Sequence, residues 1–337
     1  MDQIKLLIVD DSLFMQRILS DLFQSDNQIS VIGTARDGED ALSKIASLHP
    51  DVVTMDVEMP KMDGLTAVKR IMETDPVPVV MVSALTQKEA QLTLRALDYG
   101  AVDYVSKPSG TISLNMNIVK EELISKIKTA ALANVLATKN ESLQNLHLES
   151  RSSEKILSIA ASTGGPPAIK QILSALPADM PPILIVQHMP KGVTKLFANG
   201  LSEKCKFDVK EAEEGDQIRE HLALIAPGGF HMLVTKEKRI TLTEGPPVNY
   251  VRPSADVTMI SMAETFGQKN VAVILTGIGS DGANGIKSIK DHGGFTIAQD
   301  KETSVVFGMP KVAAETGCVD MVAPLDLIPK EIMKAVN

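Results

Sequence analysis

The chain has no tryptophan, only three tyrosines and eight phenylalanines in 337 residues, so aromatic side chains cannot build its cores. Val, Ile, Leu, Ala and Met must fill them, which is the usual filling of parallel sheets covered on both faces. Cysteine is scarce too. Cys205 and Cys318 show no metal-site spacing and make no disulfide framework, and they read as free thiols of a reducing compartment. Positive charge is in deficit, with 34 Lys and Arg against 42 Asp and Glu and a net charge of −8. No region is strongly basic and no basic helix-turn-helix is found, which argues against a nucleic-acid partner. No apolar run reaches the length that spans a bilayer. The opening "MDQIKLLIVDD" has a short apolar run closed by two acids, unlike a signal peptide. The expectation is a cytoplasmic protein with no direct membrane insertion. Its length suggests two domains.

What is present is a regular alternation of apolar runs and helical patterns. In residues 4–107 the runs "IKLLIV", "ISVIGTA", "DVVTMD", "VPVVMVSA" and "AVDYVSK" read as five strands. Helical patterns lie between them near 12–24, 38–48, 63–74 and 87–98. Such alternation predicts a doubly wound parallel sheet. Polar residues collect where the strands end: Asp10 and Asp11 after the first, Asp56 on the third, Ser83 on the fourth, Lys107 after the fifth. In a parallel sheet those ends share one edge. Each aspartate alone could be a helix cap or a loop residue. Three carboxylates together repel unless something neutralises them. A hard divalent cation such as Mg²⁺ would do so, and Lys107 and Ser83 would complete a pocket for a phosphoryl group.

The acid pair Asp10-Asp11, "MDVEMPKMDG" around Asp56, Ser83 and the "KP" at 107–108 resemble a two-component receiver domain of flavodoxin-like fold. The resemblance implies that Asp56 accepts phosphate from a histidine kinase. It implies that Asp10, Asp11, Asp56 and the backbone carbonyl of Glu58 arrange Mg²⁺, and that Ser83 and Lys107 grip the phosphoryl oxygens. Tyr104 matches the aromatic position that moves with phosphorylation, and the Lys107–Pro108 bond is expected to be cis. The receiver is assigned to 1–116. Residues 117–154 read as a helix, with Ile118, Leu123, Ile124, Ile127 and Leu132 at helical spacing, grading into a polar, serine-rich linker.

From 155 to 337 strands and helices alternate again, which predicts a second doubly wound α/β domain with a hairpin at "HMLVTKEKRITLTE". Its first strand breaks at Ser162 in "ILSIAASTGGPPAI". A serine there is either a helix cap or a nucleophile at the carboxyl end of a strand. The pattern is not the Gly-x-Ser-x-Gly elbow of common hydrolases. A nucleophile needs a base and a group to orient that base. Of six histidines, His188 ends the strand "ILIVQ" one βα unit after Ser162, which places it on an adjacent strand end. Asp281 stands in the glycine-rich "LTGIGSDGA" after another strand, where it could instead cap the following helix. Ser162, His188 and Asp281 together fit a catalytic triad.

"IAASTGGP", "QHMP", "IAPGGFHM", "VRPSADV" and "LTGIGSDGA" resemble the catalytic domain of the chemotaxis protein-glutamate methylesterase (CheB) family. A receiver ahead of this domain is that family's own arrangement. The resemblance implies hydrolysis of glutamate γ-methyl esters on chemoreceptors, activated by phosphorylation, with no cofactor for the ester chemistry. It leaves open deamidation of receptor glutamines. Backbone N–H groups near Ile278, where relatives often carry Met, and Thr163 are the implied oxyanion donors. Arg252 is either a charge that steers acidic receptor helices or an ordinary surface arginine. The alternative to the family's activity is a receiver-gated serine hydrolase or peptidase of another substrate.

Overall fold

The first apolar run forms strand β1 (Ile4–Val9), whose last four residues are buried, in a computed structural model that describes residues 3–84, 86–107, 115–135 and 154–337. The chain divides into two units, Met1–Lys139 and Asn140–Asn337. In the first, β1 is followed by α1 (Leu13–Gln24), β2 (Ile29–Ala35), α2 (Gly38–Leu48), β3 (Val52–Asp56), α3 (Gly64–Thr74), β4 (Val79–Ser83), α4 (Gln87–Asp98), β5 (Asp103–Ser106) and α5 (Asn115–Ala130). The sheet is parallel, in the order β2-β1-β3-β4-β5. Strand order reverses between β1 and β3, so the crevice of such a sheet opens beyond the ends that carry Asp10 and Asp56.

Four helices start where a short polar side chain takes a free backbone N–H. Ser12, Asp37, Asp63 and Thr86 accept from Met15, Asp40, Thr66 and Glu89. Helix α5 buries Leu123 and Ile127, as its spacing predicts. It stops at Ala130, however, and Leu132 is 87% exposed. The chain there tightens into i→i−3 hydrogen bonds from Leu132 to Thr129 and from Ala133 to Ala130. The Lys107–Pro108 bond and residues 136–153 of the expected linker lie outside the described residues.

The second unit runs β6 (Ile156–Ala161), α6 (Gly165–Ala175), β7 (Ile183–Gln187), α7 (Val193–Ser202), β8 (Asp208–Glu211), β9 (Leu222–Ile225), β10 (His231–Val234), β11 (Ile240–Thr243), α8 (Ala255–Phe266), β12 (Asn270–Ile274), α9 (Ala283–Asp291), β13 (Phe295–Gln299), α10 (Met309–Glu315), β14 (Met321–Ala323) and α11 (Ile328–Val336). Seven strands form a parallel sheet in the order β14-β13-β12-β6-β7-β9-β8, and β10 and β11 make the expected antiparallel hairpin. Every residue of β6, β7, β9 and β12 is buried, which explains their largely apolar sequences. Strand β8, "DVKE", is an edge strand that the sequence pattern does not reveal; charge along an edge discourages further pairing. Among the described residues no helix is long and apolar enough to cross a membrane.

Candidate active site and phosphoacceptor pocket

In the first unit, Asp10, Asp11 and Asp56 each place a carboxylate oxygen within 4.8 Å of the others'. Asp10 and Asp56 are buried and Asp11 is exposed. The Lys107 ammonium lies 2.9 Å from Asp10 Oδ2 and 2.7 Å from Asp56 Oδ2. The Val57 N–H donates to Asp56 Oδ1 at 2.7 Å. Ser83 is at the same sheet edge, and its hydroxyl donates to Glu89 Oε2 at 2.9 Å. The exposed Glu58 side chain pairs with Lys88 at 2.5 Å. Tyr104 is buried, its hydroxyl has no hydrogen-bond partner among the described residues, and the Lys126 ammonium sits 5.2 Å from its ring centre.

Burial pushes the Asp56 carboxyl up to about 6; the Lys107 hydrogen bond and charge oppose this, and the Asp10 charge adds to it. Ionising Asp56 is therefore about 3 kcal/mol harder in the folded chain than in the unfolded one. The sign follows from the proton count. Below pH 4 both states hold the proton and no penalty exists. Between pH 4 and 6 the folded state keeps it longer, so stability falls as pH rises, and above pH 6 the penalty is complete. Asp56→Asn removes the charge but also one Lys107 contact. It is expected to stabilise the receiver unit by about 1–2 kcal/mol at pH 7.5 and by much less at pH 4. Hydrogen exchange of the β1 and β3 amides in the full chain at the two pH values checks this; equal protection in variant and wild type at pH 7.5 refutes it.

In the second unit, β6 lies between β7 and β12, and these three strands lead into Ser162, His188 and the loop of Asp281. The alternative of Ser162 as a helix cap fails. The N-cap of α6 is Gly164, at φ +74° with no side-chain cap bond, and Pro166 and Pro167 follow in the first turn. Ser162 is held by its backbone instead: its N–H donates to Thr276 O at 3.0 Å, and its carbonyl accepts from Gly165 N–H and from Gln187 Nε2 at 2.9 Å. Its hydroxyl makes no hydrogen bond to His188, a looseness common in substrate-free nucleophile–base pairs.

Gln187, the last residue of β7, ties Ser162 to the next strand end, because the same amide also reaches His188 O. Gly165 packs against it so closely that a Cβ would lie 2.1 Å from Gln187 Oε1. On the other side, the Thr276 hydroxyl donates to Thr163 O at 2.9 Å and accepts from Val306 N–H at 2.9 Å. Gly277 lies against the serine, where a Cβ would come within 2.8 Å of Ser162 Cβ. The start of that loop, at Gly277, thus passes beside Ser162, and Thr163 is buried.

His188 turns its Nε2 to Asp281 Oδ2 at 2.8 Å, which leaves Nδ1 as the ring's other nitrogen. Asp281 does not cap the helix that follows it, since Gly282 holds that position. Its Oδ1 accepts from the Ser254 hydroxyl at 2.6 Å and its Oδ2 from Ala255 N–H at 2.6 Å. Burial pushes this carboxyl up, but the hydrogen bond and charge of His188, the Ser254 hydroxyl and the Ala255 N–H outweigh burial and hold it below the ordinary carboxylate range. It therefore stays ionised at neutral pH. Arg252 spends its guanidinium on the Glu244 and Gly245 carbonyls, at 2.7 Å each, which fixes the loop ahead of α8.

Sequence reasoning singles out Ser162, His188 and Asp281 and misses Gln187, Asn249, Ser254, Asp256 and Thr276. One signal was readable. "RPSAD" ahead of an apolar helical run is a serine N-cap, and Ser254 does cap α8. That the same hydroxyl also serves Asp281 is a contact across 27 residues, which no local pattern carries.

Family models match both units: "CheB methylesterase" over residues 157–332 and "Response regulator receiver domain" over residues 6–118. A protein of Pyrococcus horikoshii named protein-glutamate methylesterase/protein-glutamine glutaminase is 48% identical over 99% of this chain and 94% of its own length. A protein of the same name from Geobacillus kaustophilus is 46% identical, with all of both chains covered. The crystal structure of the Thermotoga maritima CheB methylesterase catalytic domain is 43% identical, covers 54% of this chain and 99% of its own, and superposes with a TM-score of 0.52. With one model covering more than half of its length and relatives of this identity spanning nearly all of it, the chain belongs to the CheB methylesterase family, in the form that carries a receiver domain ahead of the catalytic one.

Proposed function

We propose that this chain hydrolyses glutamate γ-methyl esters on chemoreceptors and that phosphorylation of Asp56 by a chemotaxis histidine kinase activates it. The carrying observation is the convergence of Ser162, His188 and Asp281 on three adjacent strand ends, with His188 hydrogen-bonded to an acid held ionised. In this reading Ser162 Oγ attacks the ester carbonyl while His188 Nδ1 takes its proton. Asp281 stabilises the imidazolium that forms. Backbone N–H groups at Ile278 and Thr163 bind the oxyanion. His188 returns the proton to the leaving methoxide, methanol departs, and water repeats the sequence on the acyl-enzyme. The same steps act on a primary amide with ammonia leaving, in keeping with the glutaminase in the relatives' names.

In the receiver, residues 1–116, the oxygen donors of Asp10, Asp11, Asp56 and the Glu58 carbonyl suit a hard divalent cation. Mg²⁺ held there would offset the charge of the carboxylates and of the incoming phosphoryl group. Ser83 and Lys107 would take the phosphoryl oxygens, which requires Ser83 to leave Glu89. Residues 117–154 join this unit to the catalytic unit at 155–337. We place the protein in the cytoplasm, where both the kinase and the receptor helices are reached.

Methanol release from methylated receptor, with and without a small phosphodonor and Mg²⁺, tests the proposal. Release should rise with phosphodonor in the wild type, whereas Asp56→Asn should keep its basal rate and show no rise. Release of no methanol, with hydrolysis of other esters or peptides, would select the alternative substrate class.

A further inference from the structure

Helices α8 and α9 exchange carboxylates. Asp281, just before α9, accepts from the N–H groups of Ala255 and Asp256 in the first turn of α8, at 2.6 and 3.2 Å. Asp256, in that first turn, returns the favour to α9: its Oδ1 accepts from Gly285 N–H at 2.8 Å. Each acid thus sits at the positive end of the other's helix, where negative charge is favoured. The arrangement brings two acids, each 2% exposed, side by side. Buried like charges at close range disfavour ionisation. Burial does push the Asp256 carboxyl up, Gly285 N–H opposes this, and the Asp281 charge adds to it.

One amide nitrogen joins the pair. Asn249 Nδ2 lies 2.9 Å from Asp256 Oδ2 and 3.2 Å from Asp281 Oδ1. Asn249 reaches inward from a turn closed by backbone hydrogen bonds between Val248 and Val251, with φ +52° at Asn249 and +66° at Tyr250. Asparagine is among the residues that adopt this left-handed conformation with little strain. Glycine would adopt it as well, but could not supply the amide.

We propose that Asn249 is a positioning residue for ester hydrolysis: its amide bridges Asp256 and Asp281 and holds Asp281 aimed at His188. The inference rests on the functional reading above. The other groups around the pair are settled: His188 from the end of β7, Ser254 and the Ala255 and Asp256 N–H groups at the start of α8, and Asn284 and Gly285 N–H from α9. Among the described residues, Asn249 is the one side chain hydrogen-bonded to both acids.

Two changes at Asn249 test this in the full-length chain. Asn249→Gly keeps the left-handed backbone and removes the amide, and Asn249→Asp keeps the shape and the turn but sets three carboxylates together. Each is expected to lower kcat for methanol release about tenfold or more, with KM within about twofold. A residue that only fills the turn gives no loss in Asn249→Gly, because glycine adopts this backbone without strain. The proposal is overturned if either folded variant keeps kcat within about twofold of wild type; should Asn249→Asp not fold, Asn249→Gly decides alone. A wild type that releases no methanol counts against the functional reading alone. The downfield NMR signal of the His188 ring proton, which needs no substrate, then decides the positioning role: it should shift in Asn249→Gly, and an unmoved signal refutes it.

Discussion

Ser162→Ala is expected to fold like the wild type and to release methanol roughly four to six orders of magnitude more slowly, as for other triad nucleophiles. Two observations make the fold insensitive to this change. The hydroxyl makes no hydrogen bond to any described residue, so its loss leaves no buried partner unpaired among them. The features that hold position 162 are backbone ones, and alanine keeps them: the N–H to Thr276 O, the carbonyl to Gly165 N–H and Gln187. The effect therefore falls on kcat. KM should change little, because the oxyanion donors and any receptor contacts remain. Single-turnover methanol release, with thermal unfolding of the same preparation as a control, measures it. A variant that keeps a tenth of the wild-type rate removes Ser162 as the nucleophile.

How much of this was legible in the sequence depends on whether the cause was local. Buried parallel strands announce themselves as short apolar runs, and β1 and β2 begin and end where the runs "IKLLIV" and "ISVIGTA" do. The places of Ser162 and His188 on neighbouring strands follow from a single βα unit, because consecutive elements usually lie side by side. Strand β8 was hidden because its four residues sit at an edge and three of them are charged, so no period-2 or apolar signal survives. Helix α5 ends before Leu132 although the spacing continues, because that leucine finds no core to enter and is left exposed. The surroundings of Asp281 were illegible for another reason. Its donors come from Asn249, Ser254 and Ala255, between 26 and 32 residues away, and only the packing of α8 on α9 brings them together. A glycine-rich loop containing an aspartate reads equally well as a helix cap until that packing is known.

Asp281→Asn is expected to lower kcat roughly 10⁴-fold, with KM within a few-fold and the fold retained, in line with the same change in a Ser-His-Asp triad. The reason lies in the donors that surround this carboxylate. Among the described residues every hydrogen-bond partner points an N–H or O–H at it: Ser254, Asp256 N–H and Asn249 at Oδ1, Ala255 N–H and His188 at Oδ2. An asparagine must turn its NH₂ to one side or the other. Facing the Oδ1 side, it meets the fixed N–H of Asp256. Facing the Oδ2 side, it meets the fixed N–H of Ala255 and also His188. In the second orientation the imidazole answers by moving its proton to Nδ1 so that Nε2 can accept. That tautomer has no lone pair left on Nδ1 for the Ser162 proton. In the first orientation the tautomer survives, but the ring loses the negative charge that stabilises the imidazolium. Either way the ground-state site is nearly unchanged while the transition state loses its support, so kcat carries the loss. Methanol release by the purified variant gives the rate, and nitrogen chemical shifts of the His188 ring report which tautomer is present. A rate within tenfold of wild type would show that the imidazole works as a base without this carboxylate, and Asp281 would then be left with its helix-capping role at α8 alone.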